Sequence, residues 1–90
     1  MNRWPPPETP LYNHSLATLE DWLRTLGACQ DEQELHRWVL HRGAWRAELS
    51  LEIEALQVRY VGAAAGRDVV REFKYSLSRQ EVERALLRGP

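Results

Sequence analysis

Cysteine is nearly absent from this chain. The single Cys29 among 90 residues excludes an internal disulfide and any multi-cysteine zinc site. An excess of one charge is missing too. Twelve basic and thirteen acidic residues leave a formal charge of −1, so no global field gathers nucleic acid or anionic lipid. No apolar run approaches the roughly 18 residues of a membrane span. The opening stretch MNRWPPPETP lacks the apolar core of a secretory leader. These absences predict a soluble, cytoplasmic chain of one domain, monomeric or a weak homodimer, with modest stability for its size.

Metal and catalytic constellations are also lacking. His36 and His41 lie five residues apart, which on one strand points them to opposite faces, and His14 is distant in sequence. Cys29 follows a predicted helix instead of opening one, so no helix N-terminus activates it. There is no Gly-x-Ser-x-Gly elbow. The glycine-containing stretch GAAAGRD has neither the lysine of a phosphate loop nor a GxGxxG pattern. The expectation is no enzyme, no cofactor and no metal.

What is present is periodic. Residues 15–26 carry Leu16, Leu19, Leu23 and Leu26 at helical spacing, with Trp22 widening the stripe. Asn13 or Ser15 can cap this helix and Gly27 can end it. ACQDEQ then reads as a polar connection. From Leu35 the period becomes two. LHRWVLHR and WRAELSLEI form a hairpin through Gly43-Ala44, a pair that suits a two-residue type II′ turn. That register sets Leu40 opposite Ala47 and Trp38 opposite Leu49, and places Leu51 and Ile53 on the same inward face. A turn around Glu54-Ala55, or a four-residue loop that preserves the facing, leads into LQVRYV with Leu56, Val58 and Tyr60 inward. GAAAGRD is read as a loop. VVREFKYSL is a fourth strand with Phe73, Tyr75 and Leu77 inward. Ser78 and Glu81 match a capping box, flanked by Leu77 and Val82 as a hydrophobic staple, and open a last helix.

The predicted fold is α+β: helix, four-stranded antiparallel meander, helix, with both helices on one face of the sheet. Four of the five prolines fall in residues 1–10, which predicts an extended, flexible tail ahead of a domain spanning 11–90.

The stretches LYNHSLATLEDWLRTLG, WRAELSLEIEALQVRY and REFKYSLSRQEVERALLRGP resemble a small family of cyanobacterial proteins of unknown function, with plastid relatives. The resemblance runs from Leu11 to Pro90. It implies a photosynthetic lineage and a soluble compartment, and transfers no site residue. Proline is more usual in that family at the position of Ser15, which favours Asn13 as the cap.

Two functions remain. The first is a non-enzymatic protein-interaction or assembly module that uses the outward face of the sheet. There Arg46, Arg59 and Lys74 stand among Glu48, Glu52 and Glu72, with Val61 and Val70 as an apolar centre beside a 62–68 loop. Alternating charge of this kind orients a partner protein. The second is a small RNA- or ribosome-binding domain, using Arg71, Arg79, Arg84 and Arg88 near the last helix. The outward face offers no Phe, Tyr or Trp on which bases could stack, so the protein partner is preferred. A further possibility is the Pro-x-x-Pro spacing from Pro7 to Pro10, which suits an aromatic groove on a partner.

Overall fold

A computed structural model describes residues 4–90. A 3-10 turn, Leu11–Asn13, leads into α1, Leu16–Thr25. Strands β1, Cys29–Gln30, β2, Arg37–Arg42, β3, Trp45–Leu51, β4, Ala55–Ala64, and β5, Arg67–Lys74, follow, and α2, Arg79–Leu87, closes the chain. The strands form one antiparallel sheet in the order β1-β2-β3-β4-β5. The sheet therefore has five strands where four are predicted. The additional one, β1, lies inside the segment read as a polar connection and pairs Cys29 with Val39 and Gln30 with Trp38.

The predicted β2–β3 register is the observed one, with Trp38 opposite Leu49 and Leu40 opposite Ala47. Gly43 has φ +48° and Ala44 is not among the residues with positive φ, as a type II′ turn requires. Between β3 and β4 the longer alternative holds. Leu51 pairs with Leu56, and the Glu52 N–H donates to the Ala55 carbonyl at 3.0 Å. Ile53 thereby falls in the loop and is 98% exposed, not inward, and Leu51 at the strand end is only half-buried. The stretch read as the loop GAAAGRD is instead a continuation of two strands. The pairing shifts between Tyr60 and Ala64, Ala64 meets Arg67, and Ala65 and Gly66 turn the corner with φ +52° and +84°. Positive φ at both central residues is the type I′ geometry. Tyr75 and Leu77 lie beyond the end of β5, in the corner before α2.

Inward residues of the sheet, among them Trp38, Leu49, Val58 and Tyr60, are fully buried and form one core with Leu19, Trp22 and Leu23 of α1 and Val82 and Leu86 of α2. The Trp22 indole donates to Glu83 Oε1 at 2.8 Å, and the Tyr60 hydroxyl donates to the Leu86 carbonyl at 2.8 Å. Two polar groups carried inward are satisfied by α2 in this way.

The helix ends follow local chemistry. Ser15, not Asn13, caps α1, its Oγ accepting from the Thr18 N–H at 3.1 Å. At the other end Gly27 N–H reaches the Arg24 carbonyl and Ala28 N–H the Leu23 carbonyl, the paired bonds of a Schellman ending. In α2 the predicted capping box is complete. Glu81 N–H donates to Ser78 Oγ at 3.2 Å and Ser78 N–H donates to Glu81 Oε1 at 3.1 Å.

The proline-rich segment departs most from its expected form. Its first three residues lie outside the described residues. Residues 4–10 are seated against the start of α2 instead of standing clear of the domain. The Thr9 carbonyl accepts from Arg79 N–H at 3.1 Å, the Pro7 carbonyl from Gln80 N–H at 2.9 Å, and the Pro5 carbonyl from Arg79 Nη2 at 3.1 Å. The Arg79 guanidinium lies 5.1 Å from the Trp4 ring centre. Proline lacks an N–H but keeps its carbonyl, so the segment can serve helix donors without needing acceptors.

Candidate functional site

The outward face carries the residues expected there. Cross-strand partners Val39, Glu48, Arg59 and Val70 make one row across β2 to β5, and Arg37, Ser50, Gln57 and Glu72 make the next. Arg59 lies beside Val70, and Val61 sits at the start of the irregular stretch of β4. The other two expected residues are remote. Arg46 faces His41, and Lys74 is four residues along β5 from Val70, roughly 13 Å at ~3.3 Å per residue. Arg59 is partnered, its Nε 3.9 Å from Asp68 Oδ2, while Asp68 Oδ1 accepts from Gly62 N–H at 2.9 Å. The five residues share a face but do not converge. A depression that Arg59 lines on that face is small, about 110 Å³, and is bordered by Arg37, Glu48 and Gln57. Near the last helix, Arg71 lies over the Tyr60 ring at 5.8 Å, and Arg79 is bound to the proline segment. His36 precedes β2, and His41 lies within it.

A different surface has the stronger shape. Tyr12, Leu16 and Leu35 are 63%, 61% and 63% exposed, and each stands on ordered backbone. Tyr12 belongs to the 3-10 turn, and its N–H is bonded to the Tyr75 carbonyl at 3.0 Å. Leu16 is the first residue of α1, one turn ahead of the buried Leu19, and so overhangs the end of the core. Leu35 is displayed by the β1–β2 loop, which Asp31 organises. Asp31 Oδ1 accepts from the N–H groups of Gln33 and Glu34 at 2.8 and 3.0 Å, and Oδ2 accepts from Arg37 Nε and Nη2 at 3.2 and 2.9 Å. Gln30 Nε2 holds the Leu35 carbonyl at 2.6 Å.

These side chains border a groove made of two adjoining depressions. One part, about 270 Å³, runs between Leu11, Tyr12, His14 and Tyr75; the other, about 520 Å³, runs between Glu20, Gln30, Leu35 and His36. Leu16 and Leu51 line both. His14, in the wall, bonds through Nδ1 to the Pro10 carbonyl at 3.0 Å, and its buried Nε2 has no partner among the described residues. Glu52 joins the groove to a third depression, about 380 Å³, around Ile53, Glu54 and Glu72.

Sequence reasoning missed this surface. The parity of the strand held one signal for it. Leu35 is out of phase with Trp38 and Leu40, so an apolar residue there has no place on the inward face. Leu16 gave no signal, because it continues the helical stripe in correct phase.

The Asp31 cluster has a measurable consequence. The backbone N–H of Glu34, the Arg37 guanidinium and the N–H of Gln33 lower the Asp31 carboxyl from 3.8 to about 2. A folded-state value below the unfolded one stabilises the fold above the unfolded value, and this contribution is lost as pH falls through the folded one. Between about pH 4 and pH 2 the wild-type urea midpoint is therefore expected to fall more steeply than that of Asp31→Asn. Parallel profiles would refute the assignment. The Asn variant will not be flat, since the Ser78 N–H also lowers Glu81.

Among the described residues no group of three or more His, Cys, Asp or Glu side chains could hold a metal ion, and no helix is long and apolar enough to cross a membrane. No curated protein and no solved structure matches the chain. Residues 26–89, from the end of α1 to the glycine after α2, match the family described as "Protein of unknown function (DUF3143)", and since this is well over half of its length the chain belongs to that family.

Proposed function

We propose that this domain is a non-enzymatic protein-interaction or assembly module, and that it engages its partner through the groove bounded by Leu16, Leu35 and Leu51. The observation that carries this reading is the display of Leu35. A leucine 63% exposed to water sits on a loop whose backbone is fixed by Asp31 and Gln30. Ordering a loop costs conformational entropy, and here the ordering buries no part of the core. Contiguous apolar surface rimmed by polar groups marks an interaction site on a soluble domain. The reading takes both helices to cover the inward face of the sheet, supported by their shared core and by the Trp22–Glu83 bond. With that face occupied, the groove gathers Tyr12, Leu16 and Leu35, three of the five large apolar side chains exposed among the described residues.

The outward face is the rival surface, and parallel variants separate the two. Wild type, the pair Leu16→Glu with Leu35→Glu, and Arg59→Glu are immobilised and exposed to an extract of cyanobacterial cells, the lineage that the resemblance implies. Captured proteins are identified by mass spectrometry. The groove pair is expected to lose at least tenfold of the specific captures that wild type retains, with a native circular dichroism spectrum, since both side chains are exposed. Retention of every capture by the groove pair, with loss in Arg59→Glu, would move the site to the outward face.

A further inference from the structure

The acidic surroundings of the groove identify the chemistry of what fills it. Glu20 lines the part beside Leu35, Glu52 lines the part beside Tyr12, and Glu52, Glu54 and Glu72 surround the depression that continues from it. No lysine or arginine lines any of the three. Among the described residues none of these four glutamates forms an ion pair. Elsewhere in the same molecule, whose net charge is only −1, the aspartates Asp21, Asp31 and Asp68 are each paired with an arginine. Four glutamates outside any ion pair thus border the same depressions as the exposed Tyr12, Leu16, Leu35 and Ile53.

We infer that the groove binds a cationic amphipathic polypeptide segment, with apolar side chains entering on either side of Leu16 and Leu51 and lysines or arginines following them toward Glu52, Glu54 and Glu72. This rests on the groove being the contact surface. Apolar anchors supply the dry contact, and the unpaired glutamates select the charge of the segment and speed its encounter. Two depressions meeting along one wall suit anchors three or four residues apart on a helix face. An acidic segment would meet four like charges that no ion pair holds. An anionic lipid surface is disfavoured for the same reason.

The test uses two fluorescein-labelled synthetic helices of equal length, each with a leucine stripe, one with lysine and the other with glutamate on the polar face. Binding is read by fluorescence anisotropy at low and moderate salt. Wild type is expected to bind the lysine helix at least tenfold more tightly than the glutamate helix, with the preference shrinking as salt screens it. The charge-reversed Glu52→Lys, Glu54→Lys, Glu72→Lys variant is expected to abolish or invert that preference. Leu16→Glu with Leu35→Glu is expected to lose the lysine helix. If the groove pair loses binding but the charge-reversed variant keeps the wild-type preference, the groove stands and the cationic inference falls. If the groove pair binds as wild type does, the surface itself is wrong. Failure of wild type to bind either helix, or a dimer in sedimentation that the groove pair dissolves, overturns the inference, the second in favour of another copy of this chain.

Discussion

Leu49→Ala is expected to lower the free energy of unfolding by about 2–5 kcal/mol, a large part of the ~5–15 kcal/mol that holds a small domain together. Leu49 lies in β3, the middle strand of the five, between Trp38 on β2 and Val58 on β4, and all three are fully buried. No flexible surface is near enough to collapse into the space left behind, so the cavity term adds to the lost transfer energy. The control is Leu51→Ala, two residues on along the same face. Leu51 is half-buried at the strand end and borders the groove, so its truncation should cost only about 1–2 kcal/mol. Urea titrations of both variants give the comparison. Equal losses would mean that the core reaches the groove end of the sheet and that the groove is closed in solution.

Leu49 and Leu51 also show what periodicity can and cannot reveal. Alternation fixed the face of both, because a slip of one residue would expose Trp38, Leu40 and Leu49 together. It says nothing of where the strand stops. That was settled by the loop from Glu52 to Ala55, whose residues have no strong turn preference, and Ile53 was misplaced in consequence. Strand β1 was invisible because two residues carry no period. The β4–β5 hairpin was hidden by its composition: Gly62, Ala63 and Ala64 offer no apolar alternation, and an alanine with positive φ is not a turn signal. Ser78 was legible because a capping box is a local pattern with its own spacing. Ser15 was legible from its chemistry, and the resemblance pointed away from it, since a family preference at one position does not decide which oxygen a given chain offers.

The surface was harder to read than the fold. The outward face could be listed from parity alone, and the structure sets Arg46, Arg59, Val61, Val70 and Lys74 on its strands, but parity gives no distances along a strand and no depth. The groove is built at junctions: the first residue of a helix, the last of a strand, and a loop held by Asp31. Sequence patterns describe elements, whereas this surface exists only where three of them end together. Asp31 reads in the sequence as part of a polar connection, yet it presents Leu35 in a defined position.

Deleting residues 1–10 is the change for which composition and structure disagree most. A proline-rich stretch with few N–H donors cannot join a ladder, and from that alone its removal should leave the melting temperature unchanged. The structure reverses the expectation through the other half of the peptide group. A helix begins with four N–H groups that have no helical partner. In α2 the capping box takes two of them, the Glu81 N–H going to the Ser78 hydroxyl and the Ser78 N–H to Glu81 Oε1. The Arg79 and Gln80 N–H groups go to the carbonyls of Thr9 and Pro7. The capping box therefore accounts for only part of the helix start, and the proline segment completes it. Deletion also removes the Pro5 carbonyl from Arg79 Nη2 and the Trp4 ring from beneath the same guanidinium. The Pro10 carbonyl is lost as well, with its bonds from Asn13 N–H and His14 Nδ1. Five hydrogen bonds at ~1 kcal/mol each, with a cation–π contact of about 0.5–1 kcal/mol, are offset in part by water at the freed donors, so a net loss of about 2–3 kcal/mol is expected. Domains of this size shift by ~4–8 °C per kcal/mol, so the melting temperature should fall by on the order of 10 °C or more. Arg79→Ala in the full chain should reproduce a minor share, since it removes the side-chain contacts and leaves both backbone bonds. An unchanged melting temperature in the deleted chain would show that the segment stands free of α2 in solution.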